Sequence, residues 1–328
     1  MKLLLLGHDE VAALLPMGEC IRLMCDALVS LAKGQVHQPL RTVMRPHGAK
    51  GLLGLMPAYS SVPRPAFGLK AISVFPENPA RGLDSHQGVV LLFSAETGEA
   101  LAFINASAVT AVRTAAVSGA ATRALAREDT CDLAVIGAGV QARSHVEAMS
   151  HARVIKRCRV ASRRPEHARK LAEELKGAYA FPVEAVETIE EALRGADLIV
   201  TATNSADAVV RREWVSDGAH INAVGACLPH ARELDAATVA ASSLFVDSVE
   251  STVNESGDYL LAAREGAVGP EHIRAELGEV LAGTKPGRTS TSEITLFKSL
   301  GLAIEDLAAA AYLYDRCRET GAGNWVSF

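Results

Sequence analysis

Hydrophobic and polar positions change their rhythm along this chain and divide it into three stretches. The first, to about residue 106, opens on Leu3-Leu4-Leu5-Leu6, which reads as a short strand. A helix is expected behind it, over roughly 9–33. Short alternating segments bounded by turns then follow. Phe67–Phe75 and Val89–Phe93 are two of them. The turn Glu96-Thr97-Gly98-Glu99 leads from the second into another apolar segment, Ala100–Asn105. Alternation with period two between turn signals predicts antiparallel strands joined by hairpins.

Residues 107–127 are rich in Ala, Val and Thr and contain no Pro. They read as a long, largely buried helix linking two domains. From Asp132 the texture changes again. Short apolar runs alternate with helical ones: Leu133–Ile136 before a helix from Val140, Arg159–Ala161 before Pro165–Lys176, and a segment at 188–194. Leu198–Ala202, Ile221–Val224 and Leu244–Val246 continue the pattern. Such alternation implies βαβ units and a parallel sheet. An Ala-rich helix over about 303–318 is expected to return to the first domain. The fold class expected is α/β: a Rossmann-type doubly wound parallel sheet plus a second, α+β domain.

One motif lies where this pattern changes function. The run Leu133–Ile136 is followed at once by Gly137-Ala138-Gly139-Val140-Gln141-Ala142, a G-x-G-x-x-A turn between strand and helix. Gly137 permits the tight turn, Gly139 lets backbone approach a pyrophosphate, and Ala142 keeps the helix close to the sheet. The helix N-terminus offers free N–H groups to phosphate. Alone the motif is weak; between a strand and a helix it predicts a dinucleotide. NAD-binding chains usually carry an acidic residue after the second strand. Here that strand ends in Ser162-Arg163-Arg164. Guanidinium groups suit a 2′-phosphate, so NADP(H) is the preferred cofactor, with NAD(H) as the other option.

Composition removes several classes. Among 328 residues, 49% are apolar and the net charge is −5, which argues for a globular protein and against nucleic acid as partner. The opening leucines meet Gly7-His8-Asp9-Glu10 too soon for a signal peptide, and no run is long enough for a membrane helix. Cys20, Cys25, Cys131, Cys158, Cys227 and Cys317 form no C-x-x-C pair and have no His cluster beside them. They read as reduced thiols of a cytoplasmic protein, mostly core filler, with no metal site.

The chain resembles the ornithine cyclodeaminase/mu-crystallin family over nearly its whole length. The resemblance rests on Gly68-Leu69-Lys70, on Gly82–Gly88, on Arg113-Thr114-Ala115-Ala116 and on Gly137–Gln141. It extends through Thr201-Ala202-Thr203, Ala223–Ala226, Val246-Asp247-Ser248 and Glu255-Ser256-Gly257-Asp258. Its most distinctive part runs from Gly283 through Gly287-Arg288 and Thr295–Gly301 to Asp306. The resemblance implies a homodimer. Each subunit would have a substrate-binding and dimerisation domain, residues 1–115 completed by 303–328, and a Rossmann domain, 116–302. It implies hydride exchange between a nicotinamide and the α-carbon of an amino or imino acid.

Carried onto this sequence, the family pattern makes Lys70 the active-site lysine and Arg45 and Arg113 the arginines that hold the substrate carboxylate. Without it, Lys70 would be read as a solvated strand residue and Arg45 as a loop charge. Arg113 is different: on an apolar helix an unpaired charge is costly, so it is expected to meet substrate or nicotinamide. Ser85, His86, Thr114, Thr203, Val224, Gly225 and Ser299 match positions beside the cofactor, and Gly137, Gly139, Val140 and Gln141 those under the phosphates. Cys227 is the departure. It stands where ornithine cyclodeaminases carry an amine-handling aspartate, and a thiol is a poor carboxylate near neutral pH. The expected activity is therefore reduction of a cyclic ketimine carboxylate, such as 1-pyrroline-2-carboxylate or its six-membered homologue. The alternatives are an ornithine cyclodeaminase, an alanine or other amino-acid dehydrogenase, and a non-catalytic binder of NADP and a small ligand.

Overall fold

The alternation of the first stretch becomes strand pairing in the computed structural model, which describes residues 2–327. In chain order the elements begin β1 (Lys2–Leu6), α1 (His8–Leu14), α2 (Met17–Ala32), β2 (Val36–His37) and β3 (Thr42–Met44). They continue β4 (Leu52–Ser60), β5 (Ala66–Val74), β6 (His86–Ser94), β7 (Ala100–Asn105) and the long helix α3 (Ala106–Leu125). Next come β8 (Asp132–Ile136), α4 (Val140–Ala152), β9 (Arg157–Ala161), α5 (Pro165–Glu174), β10 (Val183–Ala185), α6 (Ile189–Leu193) and β11 (Leu198–Thr201). Then follow β12 (His220–Ala223), α7 (Ala236–Ala241), β13 (Ser242–Val246), α8 (Val249–Glu255), α9 (Gly257–Arg264), β14 (Ile273–Glu276) and α10 (Leu277–Leu281). The chain closes with β15 (Ile294–Lys298), α11 (Ala303–Thr320) and β16 (Asn324–Ser327). Two compact units form. One takes the chain up to Arg113 and from Gly301 onward, the other Thr114–Leu300. No helix among the described residues is long and apolar enough to cross a membrane.

The single helix expected over 9–33 is two. Leu15 leaves the helical region, at φ −116° and ψ 75°, and Pro16 caps α2 from extended backbone. A proline disfavours helical geometry in the residue before it and has no N–H to donate. Beyond the break, Met17, Cys20, Ile21, Met24 and Leu28 recur at helical spacing and are buried.

The first unit is built on an eight-stranded sheet in the order β16-β1-β7-β6-β5-β4-β2, with β3 also paired to β4. The pairs β4–β5, β5–β6 and β6–β7 are antiparallel, whereas β1 runs parallel to β7. Helix α11 lies on one face. Gly68 of β5 permits the close approach: a Cβ there would come within 2.9 Å of Leu307 Cδ1. The other face carries Tyr59, Phe67 and Phe93 in one cross-strand row and Pro57, Leu69, Leu91 and Phe103 in the next. Phe67 is 49% exposed there.

The second unit is a parallel sheet in the order β10-β9-β8-β11-β12-β15-β13-β14. From β8 the chain builds outward through β9 and β10, then returns to β11 on the other side. That reversal is the place where doubly wound sheets bind ligands, beyond the C-terminal strand ends. Ala134, Ile136, Ile199, Ile221, Leu244 and Leu296 form the middle of its core. The reading by periodicity did not include β15, although its five residues are all buried and it separates β12 from β13. Lys298 and Thr295 interrupt the apolar signal, and both are buried.

Candidate active site

In the second unit the predicted cofactor residues follow the ends of adjacent parallel strands. Gly137 follows β8, Ser162 follows β9, Thr203 lies two residues after β11, Val224 and Gly225 follow β12, and Ser299 follows β15. Backbone pairing extends past the strands: Gly137 N–H donates to Ala161 O at 2.9 Å and Ala202 N–H to Ile136 O at 2.8 Å. Gly137 has φ +122°, and a Cβ there would stand 2.4 Å from Ala202 O, so no other residue fits the turn. Gly139 caps α4 with no side-chain hydrogen bond, and a Cβ on it would meet nothing within 4 Å. Val140 behind it is 60% exposed. The first N–H groups of α4 thus face an open cradle, as a pyrophosphate requires. Thr114 Oγ1 and Ser299 Oγ are buried and have no hydrogen-bond partner among the described residues. Hydroxyl groups left in that state suit a polar ligand such as a nicotinamide carboxamide. Ser162 is half-buried, and Arg163 and Arg164 are exposed, just before Pro165 opens α5.

A buried carboxylate ties two of these loops together. Glu233 accepts from Thr203 N–H and Gly225 N–H, both at 2.6 Å, and from the Thr201 hydroxyl at 2.8 Å. Asp258 in turn accepts from the Glu233 and Leu234 N–H groups and pairs with Lys298 at 2.9 Å. Burial raises the pKa of Glu233, with Lys298 opposing. Burial also works against the charge of Lys298, but Asp258 and Glu233 outweigh it and hold the ammonium above its ordinary value. Asp247 does a similar service after β13, accepting from Leu300 N–H at 2.5 Å. Neither Glu233 nor Asp247 carries any chemistry legible from spacing alone. Glu233 lies outside every motif, so no sequence signal marked it.

In the first unit Lys70 stands on the helix-covered face of β5, between Met56 and Val90 in cross-strand register. It is therefore not the solvated strand lysine that composition alone would suggest. It is 3% exposed, and its ammonium lies 2.7 Å from Asp306 Oδ2. Burial, Arg113 and Arg41 lower its pKa to about 8, with Asp306 acting the other way. Arg113 is bound by the protein's own carboxylates: Nη1 donates to Glu305 Oε2 at 2.7 Å and Nε to Asp306 Oδ1 at 3.1 Å. The cost of burying this guanidinium is thus met inside the first unit, by two carboxylates that the sequence reading had not paired with it.

The other predicted residues are less tightly gathered. Arg45 is exposed just beyond β3. It is Arg41, four positions earlier and bonded to Gly301 O at 3.0 Å, whose charge reaches Lys70. Ser85 Oγ pairs with His86 Nδ1 at 2.9 Å, and His86 O accepts from Ser107. Although much of the His86 surface is open, partial burial of its ring lowers its pKa, and Lys70 and Arg113 add to the effect. Cys227 is half-buried and its thiol approaches Val224 O at 3.4 Å. Of the other cysteines, Cys20, Cys158 and Cys317 are buried, while Cys25 and Cys131 are half-buried.

The sequence profile of the ornithine cyclodeaminase/mu-crystallin family matches residues 1–321. The chain belongs to this family. Mouse ketimine reductase mu-crystallin is 41% identical over 292 residues, 88% of this chain and 89% of that protein. Among solved structures, Thermococcus litoralis Δ1-pyrroline-2-carboxylate reductase, in complex with NADH and L-proline, superposes with a TM-score of 0.95. It is 40% identical, covering 98% of this chain and 99% of that one. An archaeal alanine dehydrogenase dimer with bound NAD gives a TM-score of 0.93 at 34% identity, covering both chains fully. Within the family pattern, Lys70, Arg113 and Asp306 belong to separate segments some forty and two hundred positions apart, and the first unit brings them into direct contact. Asp258 and Lys298, which had entered only as parts of matching segments, form the buried pair behind Glu233.

Proposed function

We propose that this chain reduces cyclic ketimine carboxylates with a nicotinamide cofactor, giving a cyclic amino acid such as L-proline from 1-pyrroline-2-carboxylate. It is an NAD(P)-dependent oxidoreductase acting on C=N bonds. The observation that carries the reading is Lys70, a buried lysine with a pKa of about 8 beside an arginine. Such a group is charged at neutral pH yet able to give up its proton, as a general acid must be.

In this reading the reduced nicotinamide, when bound, supplies the hydride to the imine carbon. The backbone N–H groups after Gly137 hold the pyrophosphate, with Val140 and Gln141 in the first turn above it. Thr114, Thr203, Val224, Gly225 and Ser299 line the nicotinamide end, and the family pattern assigns Ser85 and His86 to the cofactor as well. Arg113 and Arg45 take the substrate carboxylate, for which guanidinium groups are matched in shape and charge. Lys70 binds beside them and protonates the ring nitrogen. Cys227 leaves no carboxylate for an amine, so the substrate arrives already as an imine.

NADP(H) is preferred over NAD(H) because Ser162, Arg163 and Arg164 follow β9 where an acidic residue would hold a free ribose. The apolar outer face of the first unit's sheet, with Phe67, Leu69, Leu91 and Phe93 on it, supports a homodimer. The free cysteines agree with a cytoplasmic location.

The test is nicotinamide absorbance with 1-pyrroline-2-carboxylate, NADPH and NADH being run in parallel. Rapid NADPH loss, abolished at least about a hundredfold by Lys70→Ala, is expected. Turnover with NADH alone would keep the chemistry and reverse the reading of Ser162 and Arg163. The likeness to the alanine dehydrogenase favours one second reading. If neither five- nor six-membered imine is reduced, while a 2-oxo acid with ammonia is, amino-acid dehydrogenation replaces it.

A further inference from the structure

Two cations meet two carboxylates inside the first unit, and the four groups are not equivalent. Lys70 comes from β5, Arg113 from α3, and Glu305 and Asp306 from the first turn of α11. Acidic residues are common in a first helical turn, where the helix dipole favours them. These two differ in pointing inward: Glu305 is 0% and Asp306 1% exposed. Glu305 pairs with Arg113. Asp306 pairs with both cations, Oδ2 at 2.7 Å from Lys70 Nζ and Oδ1 at 3.1 Å from Arg113 Nε.

We propose that Asp306 is a positioning residue for the reaction: one carboxylate oxygen aims the Lys70 ammonium and the other fixes Arg113, so that the substrate meets two cations at a set spacing. The inference rests on the reading of Lys70 as the acid. The charges facing Lys70 are Asp306 from α11, Arg113 from α3, Arg41 from the segment before β3, and the imidazole of His86 from β6. Of these, Asp306 is the group that favours the ammonium. In the reaction the imine carbon gains a hydride and the ring nitrogen a proton. Lys70 supplies that proton, becomes an amine, and is reprotonated from solvent. Asp306 remains a carboxylate throughout.

The sign of the effect follows. Without the Asp306 charge, burial and Arg113 act on Lys70 unopposed, and the ammonium loses its proton at lower pH. In Asp306→Asn, the alkaline limb of kcat/KM for 1-pyrroline-2-carboxylate is expected to move down by about one pH unit or more. Near pH 8 that is a loss of about fivefold or more, approaching about tenfold at higher pH, and near pH 6 the loss is small. An unmoved limb overturns the proposal. Asp306→Glu keeps the charge but displaces it, and guards against failure of the first variant to fold. It is expected to leave the limb within about half a unit of wild type while lowering kcat about tenfold; wild-type kcat overturns the positioning role. A second readout does not depend on turnover. Lysine carrying an NMR-active carbon at Cε, assigned with Lys70→Arg, reports the Lys70 titration directly. If the wild type reduces no imine, the proposed function fails. A lower Lys70 midpoint in Asp306→Asn would still support the contact's role, and an equal midpoint would overturn it.

Discussion

A lysine held near a pKa of 8 changes charge within the range over which an enzyme works. Its folded value lies below that of a free lysine because burial penalises the ammonium first. Below about pH 8 Lys70 carries a proton to give; above it, the amine has none. For the wild type, kcat/KM is therefore expected to fall above about pH 8, by about tenfold per pH unit. A profile level to about pH 10 would remove Lys70 as the acid. His86 is a weaker candidate, since burial and the nearby cations Lys70 and Arg113 disfavour its protonated form. Much of this was legible at the level of single residues: Lys70 and Arg113 stand in motifs that match a family. The pairing of these cations with carboxylates was not, although Asp306 ends a matching segment. Glu305 and Asp306 look like ordinary first-turn acids of a helix, and only the packing of α11 on β5 turns them inward.

At the scale of elements, period and punctuation carried most of the fold. The strand–turn–helix at β8 and α4 was legible because a positive-φ glycine has few substitutes there. Gly137→Ala adds a Cβ against Ala202 O in a backbone conformation that alanine resists. It is expected to cost about 1–3 kcal/mol of stability and to weaken NADPH binding by about tenfold or more. Thermal unfolding and a fluorescence titration check both, and wild-type affinity would show that this turn does not cradle the cofactor. What escaped was β15, because a buried lysine and threonine break its apolar run. The break between α1 and α2 escaped too, because the apolar spacing continues across a proline that the backbone cannot follow. Glu233 was beyond reach for a different reason: its bonds to Thr203 and Gly225 join segments thirty and eight positions away, and no local pattern encodes them.

At the scale of the whole molecule, one sheet face is the outlier. On it Phe67 and Met44, which share that face by register, are each about half exposed, at 49% and 53%. Phe67→Asp puts a charge in the Tyr59–Phe67–Phe93 row. A wild-type dimer that becomes monomeric in this variant is the expected result of sedimentation velocity, with the fold retained by circular dichroism. A variant that stays dimeric would place the interface elsewhere. The first unit also has a distinctive order of manufacture. Its sheet is nearly written by residue 105, yet α11, which covers that sheet, is translated only after every strand of the second unit. A growing chain can therefore finish the parallel sheet early, while the antiparallel one waits with a bare face. For that interval Lys70 has no Asp306, and the nascent chain presents an unpaired cation among apolar strands, a state that holding chaperones would be called on to shield.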